Sequence, residues 1–156
     1  MNLGTKARYA VMAMVDLAAQ DAQKPVKLAD IADRQEIPLA YLEQIFARLK
    51  QQGLVKSIKG PGGGYKLGRA VGELHISDIV CAAEESMKMT RCESHSANGC
   101  MAAKARCLTH DLWEGLSAHI FSYFNAITLE DVLARRLAKP GVSVPMNFTE
   151  QAKPLN

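Results

Sequence analysis

The chain has 156 residues and a formal net charge of +3; 48% of its residues are hydrophobic and only 6% are aromatic. This length supports one hydrophobic core, or one small domain with an appended element, and the composition is ordinary for a helical globular protein. No apolar run approaches the roughly 20 residues that a membrane-spanning helix needs, and residues 1–6 lack the pattern of a signal peptide. We therefore expect a cytoplasmic protein.

Apolar residues at helical spacing predict a first helix from about Leu3 to Ala19. This helix should end before Pro25, because proline disfavours helical geometry at the residue that precedes it. The predicted apolar face of the helix comprises Tyr9, Met12, Ala13 and Leu17, with Met14 and Val15 beside it.

Two short helices joined by a tight turn follow and predict a helix-turn-helix. The first contains Leu28, Ile31 and Ala32, the turn spans residues 35–38, and the second runs from Leu39 to Leu49. Ala32 is small where the helices should cross. The side chains predicted to pack inside are Ile37, Leu42 and Ile45. Glu36 occupies a turn position where glycine is more usual, and we expect the turn to accommodate it by keeping a negative φ.

A glycine-rich hairpin follows the second helix, which should end with Gly53 as its cap. Residues 55–59 and 65–67 are predicted strands, and four of the five residues between positions 60 and 64 are glycine. Such a turn requires unusual φ values or a very close approach to another group, although a flexible tip is the alternative. No Gly-Lys-Ser/Thr follows, so this is not a phosphate-binding loop. A hairpin in this place is a wing, and residues 1–70 are predicted as a winged-helix DNA-binding domain.

The positive charge is concentrated in that predicted domain. Residues 1–70 carry eleven Lys/Arg and six Asp/Glu, whereas residues 71–156 carry eight and ten. Between Gln44 and Arg69 there are six cations and no acid. A charge run is often only a solvated face, but its coincidence with a winged helix favours a nucleic-acid partner. The six cations are Arg48, Lys50, Lys56, Lys59, Lys66 and Arg69.

Three cysteines and a histidine lie within nineteen residues, at Cys92, Cys100, Cys107 and His110. Thiolate and imidazole donors suit iron or zinc far better than magnesium or calcium. A disulfide is the alternative, but it would leave one thiol unpaired and the histidine without a role. The fourth cysteine, Cys81, lies in an apolar helical pattern and is predicted to be a small buried residue.

The second half of the chain is predicted to form helices around this metal-binding loop. One helix should span residues 76–85, with Ser77 or Asp78 capping its start. A long helix should begin near Leu108, and Thr128 with Asp131 predicts a capping box for a last short helix through residue 137. Residues 138–156 are predicted to be disordered. The long helix carries a broad apolar stripe that predicts a homodimer: Leu112, Trp113, Leu116, Ile120, Phe121, Tyr123, Phe124 and Ile127.

Four fragments in this order resemble the IscR family of bacterial iron–sulfur cluster regulators: residues 6–11, 41–44, 59–65 and 107–110. The resemblance covers residues 1 to about 137. It implies a mainly α fold: a winged helix-turn-helix with a small β-hairpin wing in residues 1–70, and a cluster-binding loop with a long C-terminal dimerisation helix in residues 71–137. It also implies a repressor of cluster-assembly genes that is an activator at other genes, with the cluster-assembly machinery as cluster donor.

The same resemblance implies a 2Fe–2S cluster bound by Cys92, Cys100, Cys107 and His110. The first two intervals between these residues are longer than is usual in the family, and the polar residues 93–99 can absorb the extra length. His95 in that loop is the rival ligand.

Three other functions are alternatives to this interpretation. The related nitric-oxide sensor NsrR takes an aspartate ligand from its N-terminal helix, whereas this chain has Arg8 in that region and offers His110. A zinc site would hold the loop without sensing. An enzyme is disfavoured, because the sequence has no second cofactor fingerprint, nucleophile elbow or paired catalytic carboxylates.

The residues predicted to contact DNA lie on the second helix and the wing. Tyr41, Glu43 and Gln44 should enter the major groove, where base edges distinguish all four pairs. The resemblance implies that Glu43 discriminates between operator classes. Ala40 and Lys59 replace the serine and arginine that are frequent in the family, and lysine cannot form the bidentate fork of arginine. Dimer symmetry implies a dyad operator with half-sites about 34 Å apart. Lys56, Lys59 and Lys66 should position the wing on DNA phosphates or in the minor groove. The other residues predicted to bind DNA are Arg48, Gly60, Pro61, Gly62, Gly63, Gly64 and Tyr65.

Overall fold

The computed structural model of the protein describes residues 4–83, 101 and 105–137. The predicted mainly α fold with a two-stranded hairpin is confirmed. Its strands are β1 (Val55–Ile58) and β2 (Gly64–Leu67), and a single 3-10 turn (Val71–Glu73) precedes the second half. The described α-helices are α1 (Thr5–Ala19), α2 (Leu28–Gln35), α3 (Leu39–Gln51), α4 (Ile76–Ala83), α5 (His110–Asn125) and α6 (Leu129–Leu133). Among them, none is long and apolar enough to span a membrane.

Helix α1 lies at the centre of the fold and packs against α2, α3, α4 and α6. Its buried face is rotated from the predicted one. Met14 is fully buried, whereas Met12 is 36% exposed. The alanines at positions 7, 10 and 13 are also fully buried. Such small side chains allow neighbouring helices to approach α1 closely. The prediction that Met12 lies on the apolar face is therefore wrong.

The helix-turn-helix is formed by α2 and α3, and the side chains predicted to pack inside it are buried: Ala32, Ile37, Leu42 and Ile45. The expected negative φ at Glu36 is wrong, because this residue is left-handed with a φ of 53°. That conformation directs the backbone N–H of Ile37 to the carbonyl oxygen of Ala32 at 3.0 Å. It thereby closes α2 at its C-terminal end.

The wing is held against the body of the domain. β1 and β2 pair antiparallel, with Val55 opposite Leu67 and Ile58 opposite Gly64. The backbones of Val26 and Tyr65 exchange two hydrogen bonds. Val26 N–H donates to the Tyr65 carbonyl oxygen with an N···O distance of 2.9 Å, and Tyr65 N–H donates to the Val26 carbonyl oxygen at 2.7 Å. A Cβ on Gly64 would collide with the carbonyl oxygen of Val26. The predicted close approach of the glycine-rich segment is confirmed at this position.

Helix α4 packs between α1 and α5. Ser77 is inside the helix and buried, and its hydroxyl donates to Asn125 Oδ1 at 3.0 Å, so the prediction that Ser77 caps the helix is wrong. Asp78 likewise follows the first helical residue instead of preceding it. Cys81 is exposed rather than buried, because Ile79 and Val80 take the core-facing positions.

Helix α5 contributes little to the core of this chain. Among its 16 residues, all of them described, only His110 is buried. The predicted capping box of α6 is confirmed: Thr128 N–H donates to Asp131 Oδ2 at 3.1 Å, and Asp131 N–H donates to Thr128 Oγ1 at 3.2 Å. The helix ends at Leu133 rather than at residue 137, and Arg135 has a φ of 53°. The predicted tail lies outside the described residues.

Candidate nucleic-acid interface and metal-binding segment

The outer face of α3 presents the residues predicted to read DNA. Leu42, Ile45, Phe46 and Leu49 are buried on the inner face of this helix, so Glu43 and Gln44 fall on the solvent side and are exposed. Tyr41 is half-buried, and its ring meets the ring of Tyr9 edge-on at a centroid distance of 5.6 Å. Helix α1 therefore packs against the start of α3, and the side chains of Glu43 and Gln44 are accessible to a ligand.

The wing presents a second group of predicted contacts beside α3. Lys56, Lys59, Gly60, Pro61 and Gly62 are exposed, whereas Gly63 and Gly64 are half-buried. The hairpin tip with Lys59 and the Lys56 position of β1 are thus open to solvent, while the start of β2 is partly packed.

Two contacts hold strand β2 of the wing against the rest of the fold. The half-buried Tyr65 ring packs edge-on against Phe46 of α3 at a centroid distance of 4.9 Å. Lys66 Nζ donates to the carbonyl oxygen of Gln23 at 2.6 Å. Lys66 therefore engages the protein itself, in the loop between α1 and α2, whereas it was expected to contact DNA.

Arg48 also engages the protein. Arg48 is half-buried, and its Nη1 donates to the carbonyl oxygen of Ala83 in α4 at 3.0 Å. The sequence predicted a DNA contact for this residue, and its hydrogen bond to a distant helix could not be inferred from helical spacing.

A buried carboxylate between α1 and α2 was missed by the sequence analysis. Asp16 is 7% exposed and accepts hydrogen bonds from Arg34 Nε at 3.1 and 3.2 Å, from Arg34 Nη2 at 2.6 Å and from Gln35 Nε2 at 2.7 Å. Burial alone would raise the pKa of the Asp16 carboxyl, but the Arg34 and Gln35 hydrogen bonds and the Arg34 charge hold this pKa below its ordinary value. The available signal was an acidic residue on the apolar side of α1, which requires a cationic partner.

The structure places two of the four predicted metal ligands together at the start of α5. The backbone N–H of His110 donates to the carbonyl oxygen of Cys107 at 3.0 Å, and Cys107 Sγ lies 3.6 Å from Thr109 Oγ1. The His110 side chain is 6% exposed, whereas Cys107 is half-buried. Cys92, Cys100 and the rival ligand His95 lie outside the described residues.

Carboxylates surround the imidazole of His110. Glu114 Oε2 lies 3.6 Å from His110 Nε2, and ligand atoms of His110, Asp111 and Glu114 all lie within 4.8 Å of one another. The i, i+4 spacing of His110 and Glu114 on a helix was the signal that could have identified this contact. Cys107 and His110 are joined by a backbone hydrogen bond, and thiol and imidazole are donor types that suit iron or zinc.

Cys81 is a weaker candidate ligand. Desolvation, and after it the charge of Asp78, raises the pKa of the Cys81 thiol. A raised pKa keeps the sulfur protonated, and the thiolate is the form that binds metals.

The sequence matches a known family over most of its length. Residues 3–135 match the Rrf2 family, described as iron-dependent transcriptional regulators. The HTH-type transcriptional regulator IscR of Xenorhabdus nematophila is 48% identical over 133 residues, which cover 85% of this chain and 79% of that protein. IscR of Pectobacterium carotovorum is 47% identical over 133 residues, with the same shares covered. The predicted resemblance to IscR is thereby confirmed.

Two solved structures of regulators have a similar fold. T. potens IscR superposes with a TM-score of 0.70 and 33% identity, covering 87% of this chain and 88% of that one. CymR, the global cysteine regulator of B. subtilis, superposes with a TM-score of 0.69 and 29% identity, covering 86% and 98%. The curated relatives are named transcriptional regulators, which is a non-enzymatic, DNA-binding role. The chain belongs to the Rrf2 family of iron-dependent transcriptional regulators.

Proposed function

We propose that this protein binds a 2Fe–2S cluster and, as a homodimer, represses cluster-assembly genes from a dyad operator. The observation that carries the proposal is the proximity of Cys107 and His110, joined by a backbone hydrogen bond at the start of α5, in a chain whose exposed recognition helix is α3. IscR relatives at 47–48% identity support it. Thiolate and imidazole donors suit such a cluster, and the reducing cytoplasm keeps thiols available.

The residues that would hold the cluster are Cys92, Cys100, Cys107 and His110. When bound, it would supply a redox-active centre that can be gained or lost with iron–sulfur supply from the assembly machinery. Imidazole is neutral where a fourth thiolate would be charged, and histidine ligation raises the reduction potential of such sites. Glu114 Oε2 lies 3.6 Å from His110 Nε2, so this carboxylate neighbours the imidazole that would hold the cluster.

Dimerisation is proposed from the exposed apolar face of α5. This face includes Leu112 at 64% exposure, Phe121 at 45%, Trp113 at 41% and Tyr123 at 40%. Covering a large side chain that is about half exposed contributes on the order of 1 kcal/mol. A second copy related by a two-fold axis would cover the same face on both chains and place two recognition helices about 34 Å apart.

Sequence reading is proposed for the exposed residues of α3. Gln44 suits adenine and Glu43 suits cytosine in the major groove. A carboxylate near phosphates is repelled unless a base donor compensates, so Glu43 also excludes wrong sequences. We expect Glu43→Ala to bind a broader set of duplexes when it is selected against a random-sequence pool, whereas an unchanged set would contradict this role.

The cofactor is tested by anaerobic purification, followed by a visible spectrum with iron and sulfide analysis. The 2Fe–2S proposal expects visible absorption and iron and sulfide in equal amounts. A colourless protein containing zinc would instead support the structural zinc site.

Two further measurements test DNA binding and the sensing role. Binding of a duplex selected by the protein should weaken steeply as salt rises, because bound phosphates release counterions. Cys92→Ala should alter affinity for some of the selected duplexes. Unchanged affinity for all of them would refute coupling between the cluster and DNA. A response to nitric oxide rather than to cluster supply would favour the NsrR-like alternative.

A further inference from the structure

Ile58 is an apolar residue that the fold leaves uncovered near the tip of the wing. Its side chain is 43% exposed, and its backbone lies opposite Gly64 in the register of β1 and β2. Side chains that are directly opposite on two strands pack against one another, but Gly64 has none to offer. A Cβ at that position would collide with the carbonyl oxygen of Val26. The packing of the wing on the domain therefore leaves one side of Ile58 open.

The residues around Ile58 are cationic. Lys56 is two positions away on the same strand and therefore lies on the same face, and Lys59 follows Ile58 at the tip. Both lysines are exposed, and no acidic residue occurs between Gln44 and Arg69. A second copy of this surface would bring like charges together. The surface suits a partner that has phosphates on both sides of an apolar contact, as the minor groove of DNA has.

The other face of the hairpin is already occupied. Tyr65 packs against Phe46 of α3, and Ser57, which lies opposite Tyr65, is half-buried. Successive side chains of a strand point to opposite faces, so Lys56 and Ile58 lie on the face turned away from this contact. The wing can therefore offer its outer face and its tip to a duplex that α3 binds.

We propose that Ile58 makes an apolar contact with the minor groove beside each half-site and favours A·T pairs there. This inference rests on the proposed function and adds a specificity-determining residue to it. A G·C pair presents an amino donor in the minor groove that an A·T pair lacks. An amino group packed against Ile58 would lose its water and gain no acceptor. Lys56 and Lys59 contact the flanking phosphates, which carry no sequence information.

The first experiment measures affinity for a duplex that the wild-type protein selects from a random pool. Ile58→Thr keeps the branched Cβ and the strand preference but replaces apolar surface by a hydroxyl, and we expect it to bind about fivefold more weakly. Ile58→Val should lose about twofold or less, since it removes one methylene. Leu133→Thr is the matched control, because Leu133 is an exposed aliphatic residue on α6, and it should bind like wild type.

The salt dependence separates the apolar contact from a phosphate contact. Ile58→Thr removes no charge, so its slope of log affinity against log salt should equal that of wild type. Lys59→Gln should reduce the slope by about 0.9. A reduced slope in Ile58→Thr would mean that the substitution displaces the lysines, and the proposal would be overturned.

The second experiment changes only the minor groove of the same duplex. Replacing adenine by 2,6-diaminopurine in the bases beside each half-site adds the amino group there and leaves the major-groove edge of the base unchanged. Wild type should lose at least about fivefold in affinity on the modified duplex. Ile58→Thr should lose less than twofold, because its hydroxyl can accept from the added amino group. Equal affinity of wild type for the two duplexes refutes the inference.

The remaining outcomes are distinguishable. If wild type selects no duplex from the pool, the proposed function fails, and this inference fails with it. If wild type selects a duplex that Ile58→Thr binds equally well, only the inference about Ile58 is overturned. Urea unfolding of each variant identifies a purely structural role. A less stable Ile58→Thr that loses as much affinity on the modified duplex as wild type does would also overturn the proposal.

Discussion

Replacing Asp16 by asparagine tests the buried contact between α1 and α2. The substitution keeps the size of the side chain but removes the charge that receives three hydrogen-bond contacts from Arg34 and one from Gln35. Removing one partner of a buried ion pair costs roughly 3–5 kcal/mol. The Arg34 side chain is 40% exposed, so water replaces part of the lost interaction, and asparagine still offers one acceptor. We therefore expect a loss of about 2 kcal/mol, or roughly 4–8 °C in Tm.

The effect should depend on pH with a defined sign. The pKa of Asp16 is lowered in the folded protein, so its carboxylate stabilises the fold fully above the unfolded-state pKa of about 3.9. This stabilisation is lost as the pH falls through the folded-state value. The difference between wild type and Asp16→Asn should be constant from pH 7 to about pH 5 and shrink below about pH 4.

Urea unfolding followed by circular dichroism between pH 3 and pH 7 measures this difference. Asp33→Asn is the matched control, since Asp33 is an exposed carboxylate on α2, and its free energy of unfolding should stay close to that of wild type. Equal stability of Asp16→Asn and wild type at pH 7, or a deficit that does not shrink at pH 3, would refute the reasoning.

Three other substitutions test separate features. Glu36→Gly relieves a left-handed residue and should raise the free energy of unfolding by up to about 1 kcal/mol in urea; a decrease would show that the turn is not strained. Gly64→Ala should cost about 2 kcal/mol or more, because its Cβ meets the backbone of Val26. The control Gly62→Ala, with open space around its Cβ, should unfold at the wild-type urea concentration. Cys107→Ser should abolish the visible absorption of anaerobically purified protein, and an unchanged spectrum would remove this residue from the proposed ligands.

The winged helix could be predicted because its signals are local. Helical spacing located the apolar residues of α2 and α3, glycine located the wing, and the pairing of Thr128 with Asp131 located the start of α6. The buried face of α1 was less accessible to such reasoning. Its fully buried alanines look neutral in a pattern, and their importance arises only when neighbouring helices pack against α1.

The features that sequence could not provide all join distant positions. Asp16 meets Arg34 across 18 positions, and Arg48 meets Ala83 across 35. No local period encodes which cation will contact a buried carboxylate or the backbone carbonyl of a distant helix. Cys81 illustrates the opposite error, because an apolar neighbourhood in sequence suggested burial while the helix directs this side chain outward.

The anchoring of the wing has a consequence for the length of the DNA sequence that one subunit can recognise. Tyr65 is bonded to the backbone of Val26 and packed on Phe46 of α3. Strand β2 is therefore held against the recognition helix. If the wing and α3 contact DNA as proposed, inserting a base pair between the major-groove bases and the flanking minor groove within one half-site should weaken recognition, because the protein fixes the spacing of the two contacts.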